Sequence, residues 1–150
     1  MDTVYDNLKV VGGTSVAPQS ISGSTAVDGS DVDTQGAASA AIYAYGAAAS
    51  GSPSAATLTV TLQECDTSGG TYTDAKDNTG AVIGFTLTVT SAAAENVARI
   101  EGLNLNRKRY LRAVITPAFT GGTSPASEAY AQILLGANTQ LPVDTAVSNT

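Results

Sequence analysis

Along two stretches of the chain, apolar and polar residues alternate one for one. Residues 56–64 read Ala-Thr-Leu-Thr-Val-Thr-Leu-Gln-Glu, and residues 83–90 read Ile-Gly-Phe-Thr-Leu-Thr-Val-Thr. A strand points successive side chains to opposite faces. Leu58, Val60 and Leu62 therefore share one face, as do Ile83, Phe85, Leu87 and Val89. The threonines take the other face, where a β-branched polar side chain suits a wetted sheet. Apolar inward and polar outward is the pattern of antiparallel strands.

The same period predicts the rest of the chain. The alanines of residues 37–49 favour helix. Yet Tyr43 and Tyr45 lie two apart and Gly46 and Gly51 close the stretch, which fits a strand better. Residues 97–103 place Ala98, Ile100 and Gly102 on one face. Residues 110–116 turn Leu111, Ala113 and Ile115 inward, and residues 128–135 align Ala129, Ala131, Ile133 and Leu135. Asp66-Thr67-Ser68-Gly69-Gly70 is a turn signal. Residues 71–73 read as a short return strand, 91–96 as one helical turn, and 119–125 as a loop. Near the start, residues 8–11 read as an arm or edge strand. Residues 22–35 read as a loop with a short strand near Ala26-Val27.

Short strands separated by turns predict an all-β fold, a single antiparallel, jelly-roll-like β-sandwich of seven or eight strands. The expected organisation is an N-terminal arm and loop over 1–36, a sandwich over 37–136 and a C-terminal tail over 137–150, with both arms extended. The predicted core is Leu58, Val60, Leu62, Phe85, Leu87, Val89, Ile100, Leu111, Ile115 and Ile133.

Composition narrows the function. A chain of 150 residues suits one domain. Much of its 43% hydrophobic content is alanine, so the core is expected to be thin. Thirteen acids against seven bases give a net charge of −6, which argues against nucleic acid and anionic membranes as partners. The opening Met1-Asp2-Thr3-Val4-Tyr5 has no basic segment leading an apolar one, so no Sec signal is expected. No apolar run approaches the length of a membrane span.

Candidate chemistry is sparse. Cys65 is the single cysteine, so no intrachain disulfide forms. It is expected on the threonine face as a partly exposed filler, because no histidine is present to activate a nucleophile. Glu64, Asp66, Asp74 and Asp77 cluster around one hairpin, and Asp28, Asp31 and Asp33 around another segment. Calcium takes hard oxygen ligands, but neither cluster has the calcium-loop spacing, and aspartate is a common turn former. With no tryptophan and six tyrosines scattered along the sequence, a glycoside-cleaving site is not expected. Neither enzymatic activity nor a cofactor is anticipated. Arg107-Lys108-Arg109, with Arg112, is the one basic cluster. It is either a solvated turn or a contact for an acidic partner surface. Apolar residues also stand outside the sandwich: Tyr5, Leu8, Val10 and Val11 at one end, Leu141 and Val143 at the other. Apolar side chains on an arm call for a partner, so these six, with Arg107 and Arg109, are the candidate assembly contacts.

At this point the sequence resembles a family. Tyr5-Asp6-Asn7-Leu8-Lys9-Val10-Val11 is similar to the start of small head proteins of tailed bacteriophages. A Gly/Thr-rich loop and the Ala26-Val27-Asp28 strand follow in the same order. Residues 58–69, 107–116 and 122–143 continue the likeness in kind. The resemblance implies a head decoration protein, a capsid cement or minor capsid protein, without catalytic residues. Its partners would be the major capsid protein and itself, often as a homotrimer. It would be made in the host cytoplasm and sit on the capsid exterior of the virion, stabilising contacts between major capsid subunits. The alternative from the residues is a carbohydrate- or surface-binding β-sandwich module, which calls for a signal peptide, a domain linker or aromatics grouped on one face.

Overall fold

The computed structural model describes residues 9–10, 16–101 and 107–138. They form eleven strands and no helix: β1 Lys9–Val10, β2 Val16–Ser22, β3 Val27–Asp28, β4 Val32–Asp33, β5 Ala37–Gly46, β6 Ala55–Cys65, β7 Thr73–Asp74, β8 Gly84–Thr88, β9 Ala94–Glu101, β10 Tyr110–Thr120 and β11 Ala126–Asn138.

Two antiparallel sheets pack face to face. Sheet A runs β1-β11-β5-β9, with β2 beside β1 on the same edge of β11. Sheet B runs β3-β10-β6-β7, with β4 beside β3 and β8 beside β7. Short strands placed end to end share a position, so each sheet has four positions. In chain order the pairs β1/β2 with β11, β3/β4 with β10, β5 with β9 and β6 with β7/β8 nest inside one another. A long antiparallel ribbon folded in this way and rolled up is a jelly roll, as the strand pattern predicts.

The inward faces fill the space between the sheets. From β6 come Ala56, Leu58, Val60 and Leu62, while Thr57, Thr59 and Thr61 face outward. β5 contributes Ala37, Ala40, Ile42 and Ala44, and β11 contributes Ala129, Ala131, Ile133 and Leu135. Nine of the ten predicted core residues are buried, and Phe85 is partly buried against them. Gly46 of sheet A faces Leu58 of sheet B. A Cβ placed on Gly46 would come within 2.7 Å of Leu58 Cδ1 and 2.9 Å of Val89 Cγ1. The buried polar residues Thr34 and Ser127 are paired, as burial demands, while the buried Tyr72 hydroxyl has no hydrogen-bond partner among the described residues. Ser127 Oγ donates to the Ala47 carbonyl at 2.7 Å, and Thr34 Oγ1 donates to the Arg109 carbonyl at 2.7 Å.

Several local readings are corrected. Residues 16–22, within the stretch read as arm and loop, form β2 and bury Val16 and Ile21. Their alternation is broken by a register shift opposite Ala129 and Ala131, so no period shows in the sequence. Residues 91–96 make no helical turn, because β9 begins at Ala94. β10 runs on to Thr120 through Pro117. The Arg109 and Ala113 carbonyls accept from Thr34 and Gly29, and the same parity aims the Pro117 nitrogen past the end of β3. Its missing N–H therefore removes no ladder bond. Cys65 keeps the parity of the threonine face but is 5% exposed, not partly open. The following turn covers it closely, since a Cβ on Gly70 would lie 2.7 Å from its Sγ.

Candidate functional site

The two outer faces differ in chemistry. On sheet B, Thr57, Thr59 and Thr61 of β6 stand beside Thr86 and Thr88 of β8, with Thr59 and Thr86 hydroxyls 3.3 Å apart. On sheet A, the alternation that sends alanines inward sends tyrosines outward. Tyr130 of β11 pairs in register with Tyr45 of β5, and Gln132 pairs with Tyr43. The Tyr45 and Tyr130 rings stack, 5.7 Å between centroids and 28° between planes. Tyr43 leans on the other side of Tyr130 at 6.0 Å and 49°. On β9, Val97 pairs with Tyr43 and is 55% exposed, the more open of two exposed large hydrophobic residues among those described. The Tyr43 hydroxyl donates to Glu95, and this bond to a carboxylate pushes its ionisation upward.

This face, three half-buried tyrosines beside an open valine, is the candidate functional site. Three of the six tyrosines that lie scattered in sequence are here grouped, which corrects that expectation for Tyr43, Tyr45 and Tyr130. The signal was present: Tyr43 and Tyr45 share a parity, and Tyr130 lies between inward Ala129 and Ala131. What sequence could not supply was the β5–β11 pairing.

The predicted contacts fall differently. Tyr5, Leu8, Val11, Leu141 and Val143 lie outside the described residues. Val10 belongs to β1, which pairs with Leu134 and Leu135 of β11. Arg107 is 10% exposed and lies 3.7 Å from Glu64. Arg109 donates to Asp33 through Nε at 2.9 Å and Nη2 at 2.8 Å, and also meets Gln35. Its charge is thus held within the chain, and the Asp33 carboxylate raises its pKa. Neither arginine joins the tyrosine face. Arg112 is the hub of the opposite face. Its Nε and Nη2 donate to Gln63 Oε1 at 2.9 and 2.7 Å, its Nη1 lies 3.0 Å from Asp28, and its guanidinium sits 4.4 Å from the Tyr72 ring centre.

The acidic clusters resolve into turns and pairs. Asp77 Oδ1 accepts from the Thr79 N–H and hydroxyl and from the Ala81 N–H, and these bonds lower its pKa. Asp74 accepts from Gln63 at 3.0 Å, and Asp31 from Ser68 at 2.6 Å, the latter bond lowering the Asp31 pKa. Among the described residues, no three His, Cys, Asp or Glu side chains converge as metal ligands would. No helix among them is long and apolar enough to cross a membrane.

No protein-family model matches the chain, and no curated protein matches it in sequence. Solved structures do show a similar arrangement. The PBSX exported protein XepA is 12% identical, with a TM-score of 0.49 over 93% of this chain and 40% of that one. The C-terminal domain of the sugar-binding protein EclA is 8% identical, with a TM-score of 0.46 over 78% of each chain. The CBM22-1 xylan-binding domain of Paenibacillus barcinonensis Xyn10C is 13% identical, with a TM-score of 0.39 over 86% of this chain and 85% of that one. An SPBc2 prophage-derived protein, YomS, and the Tobacco streak virus coat protein are also among the matches. This chain spans 40% of the length of XepA. Likeness at these identities concerns the fold and assigns the chain to no family.

Proposed function

We propose that this protein is a decoration protein of a tailed-phage head, a virion structural protein that binds the capsid exterior and ties neighbouring major capsid subunits together. The observation that carries the reading is the outer face of sheet A. Tyrosine gives large contact area at low entropic cost and is enriched in protein interfaces. The half-buried rings of Tyr43, Tyr45 and Tyr130 with exposed Val97 form an aromatic and apolar patch of this kind. Self-association and contacts from the terminal apolar residues Tyr5, Leu8, Val11, Leu141 and Val143 belong to the same proposal. Many weak copies on a symmetric shell then gain by multivalency.

A second reading is favoured by the same grouping of aromatics: a carbohydrate-binding module. It is the weaker of the two because Tyr45 and Tyr130 stack on each other. Their mutual contact leaves less open ring surface for a sugar. Co-sedimentation with capsid shells purified from the source phage tests both. The wild type should pellet with shells, and Tyr43→Ala with Tyr130→Ala should release it. No pelleting, together with tyrosine-dependent retention on an insoluble neutral polysaccharide, would replace the first reading with the second.

A further inference from the structure

The four sheet edges are not alike. Three are built from pairs of short strands set end to end: β1 with β2, β3 with β4, and β7 with β8. The first of these also contains Pro18. Short, interrupted and proline-bearing edges resist pairing with another chain. The fourth edge is β9, one uninterrupted strand of eight residues without proline. Among the described residues its only ladder partner is β5.

The backbone of β9 is ready to pair. The Ala47 N–H donates to the Glu128 carbonyl, so residues 45, 43 and 41 turn their main-chain groups toward β11. Residues 46, 44, 42 and 40 then face β9 and meet 94, 96, 98 and 100. Positions 95, 97 and 99 therefore present N–H and C=O groups to the open edge. The Val97 N–H donates to the neighbouring Asn96 Oδ1 at 2.8 Å and to no strand, so pairing at this edge displaces one side-chain acceptor.

We propose that β9 pairs antiparallel with β9 of a second copy across a two-fold axis at Val97. The charge pattern selects the register. With Val97 opposite Val97 of the second copy, Glu95 stands opposite position 99, an arginine, and the reciprocal pair repeats across the axis. An acid opposite a base stabilises a cross-strand pair, and like charges destabilise it. A shift of two residues one way sets Glu95 against Val97. The same shift the other way sets it against Glu101. The central register forms about six main-chain hydrogen bonds. It also covers Val97 and joins the two sheets A into one continuous sheet, extending the row Gln132, Tyr43, Val97 into its mirror. A contact of this kind is isologous and closes at two copies. It stands whichever partner the tyrosine face meets.

Sedimentation equilibrium of the full chain, from low to high micromolar concentration, tests the pairing. The wild type should shift from monomer to dimer. Val97→Pro removes an edge N–H that serves no bond to β5, so the far-ultraviolet spectrum should persist while the dimer is lost. Glu95→Arg alone and Arg99→Glu alone should each weaken dimerisation roughly tenfold or more, since each sets two like-charged pairs across the axis. Mixing these two variants restores both opposite-charge pairs, so the mixture should form a mixed dimer although neither variant does alone. A wild type that stays monomeric throughout would overturn the pairing. So would a trimer or other multimer that ignores Val97→Pro and the charge exchange.

Discussion

Leu58 and Gly46 share one space between the sheets, and exchanging their sizes measures how tightly the two layers interlock. Leu58 is fully buried, and its Cδ1 occupies the place a Cβ on Gly46 would approach to 2.7 Å. Leu58→Ala deletes three carbons, roughly 2.4 kcal/mol of transfer free energy at about 0.8 kcal/mol each. The residual cavity raises the expected loss to about 2–5 kcal/mol. Gly46→Ala alone forces a methyl against Leu58 Cδ1 and Val89 Cγ1, for which overpacking costs about 1–3 kcal/mol. Roughly 0.5–1 kcal/mol returns because glycine is entropically poor in a strand. In the double variant the Leu58 methyls are absent and the new methyl enters the cavity they leave. The double loss should then fall about 1–2 kcal/mol short of the sum, a coupling expected only of side chains in contact. Val89 at 2.9 Å limits the recovery. Urea unfolding followed by circular dichroism, with unchanged m-values, supplies the cycle. Additivity within about 0.3–0.5 kcal/mol would refute the shared space.

Other perturbations separate structural polar groups from decorative ones. Arg112→Ala strips two bonds to Gln63, the Asp28 pair and the Tyr72 ring contact, and should lower stability by about 2–3 kcal/mol. Arg109→Ala, at a side chain 48% exposed, should lower it by less than about 1 kcal/mol, and the reverse order of denaturation midpoints would contradict this. The Asp77 carboxyl is held below its ordinary 3.8 by the Thr79 hydroxyl first, then by backbone N–H groups. A depressed carboxyl stabilises the fold above its unfolded pKa and loses that effect as pH falls through the folded value. Asp77→Asn should therefore flatten the acid limb of a stability-versus-pH curve below about pH 4. Burial first of all pushes the Tyr72 phenol up from 10.0 to about 12. Its contribution is complete below pH 10.0 and disappears as pH rises toward about 12, so Tyr72→Phe should blunt alkaline unfolding in that window.

The legible parts of the fold are those where one face is buried and the other is wet. Residues 56–65 and 110–116 show their strands because Leu58, Val60 and Leu62 alternate with threonines, and Leu111, Ala113 and Ile115 keep the same period with Arg112 and Thr116 outward, although Val114 on the outward parity is apolar and buried. β2 hides its strand because Val16 and Ile21, its two buried residues, straddle a register shift and Pro18. β4 is two residues long, too short to carry any period, whereas the short strand expected near Ala26-Val27 appears as β3 at Val27–Asp28. Cys65 shows a different failure. Its parity was readable, but the turn that follows it folds back over it and decides its burial, and alternation within one strand carries no information about that turn.

The surface was harder to read than the core for a related reason. A period of two tells which residues point outward, and it gave Tyr43 and Tyr45 a common face. It does not tell which outward residue of another strand stands beside them. The rolled ribbon places β11, the last strand described, between β2 and β5, and only that topology brings Tyr130 to Tyr45. The same topology leaves β9 as the outer strand of sheet A and sets Val97 next to Tyr43. Half-buried tyrosines and an open strand edge therefore meet on one sheet. The outer face of sheet B instead carries threonines and an arginine hub bound to Gln63 and Asp28. A face whose arginine is already bound to Gln63 and Asp28 has less to gain from a partner. A face that leaves a valine and a strand edge open has more to gain, so the proposed assembly contacts are placed on sheet A, and substitutions on the threonine face should leave them intact.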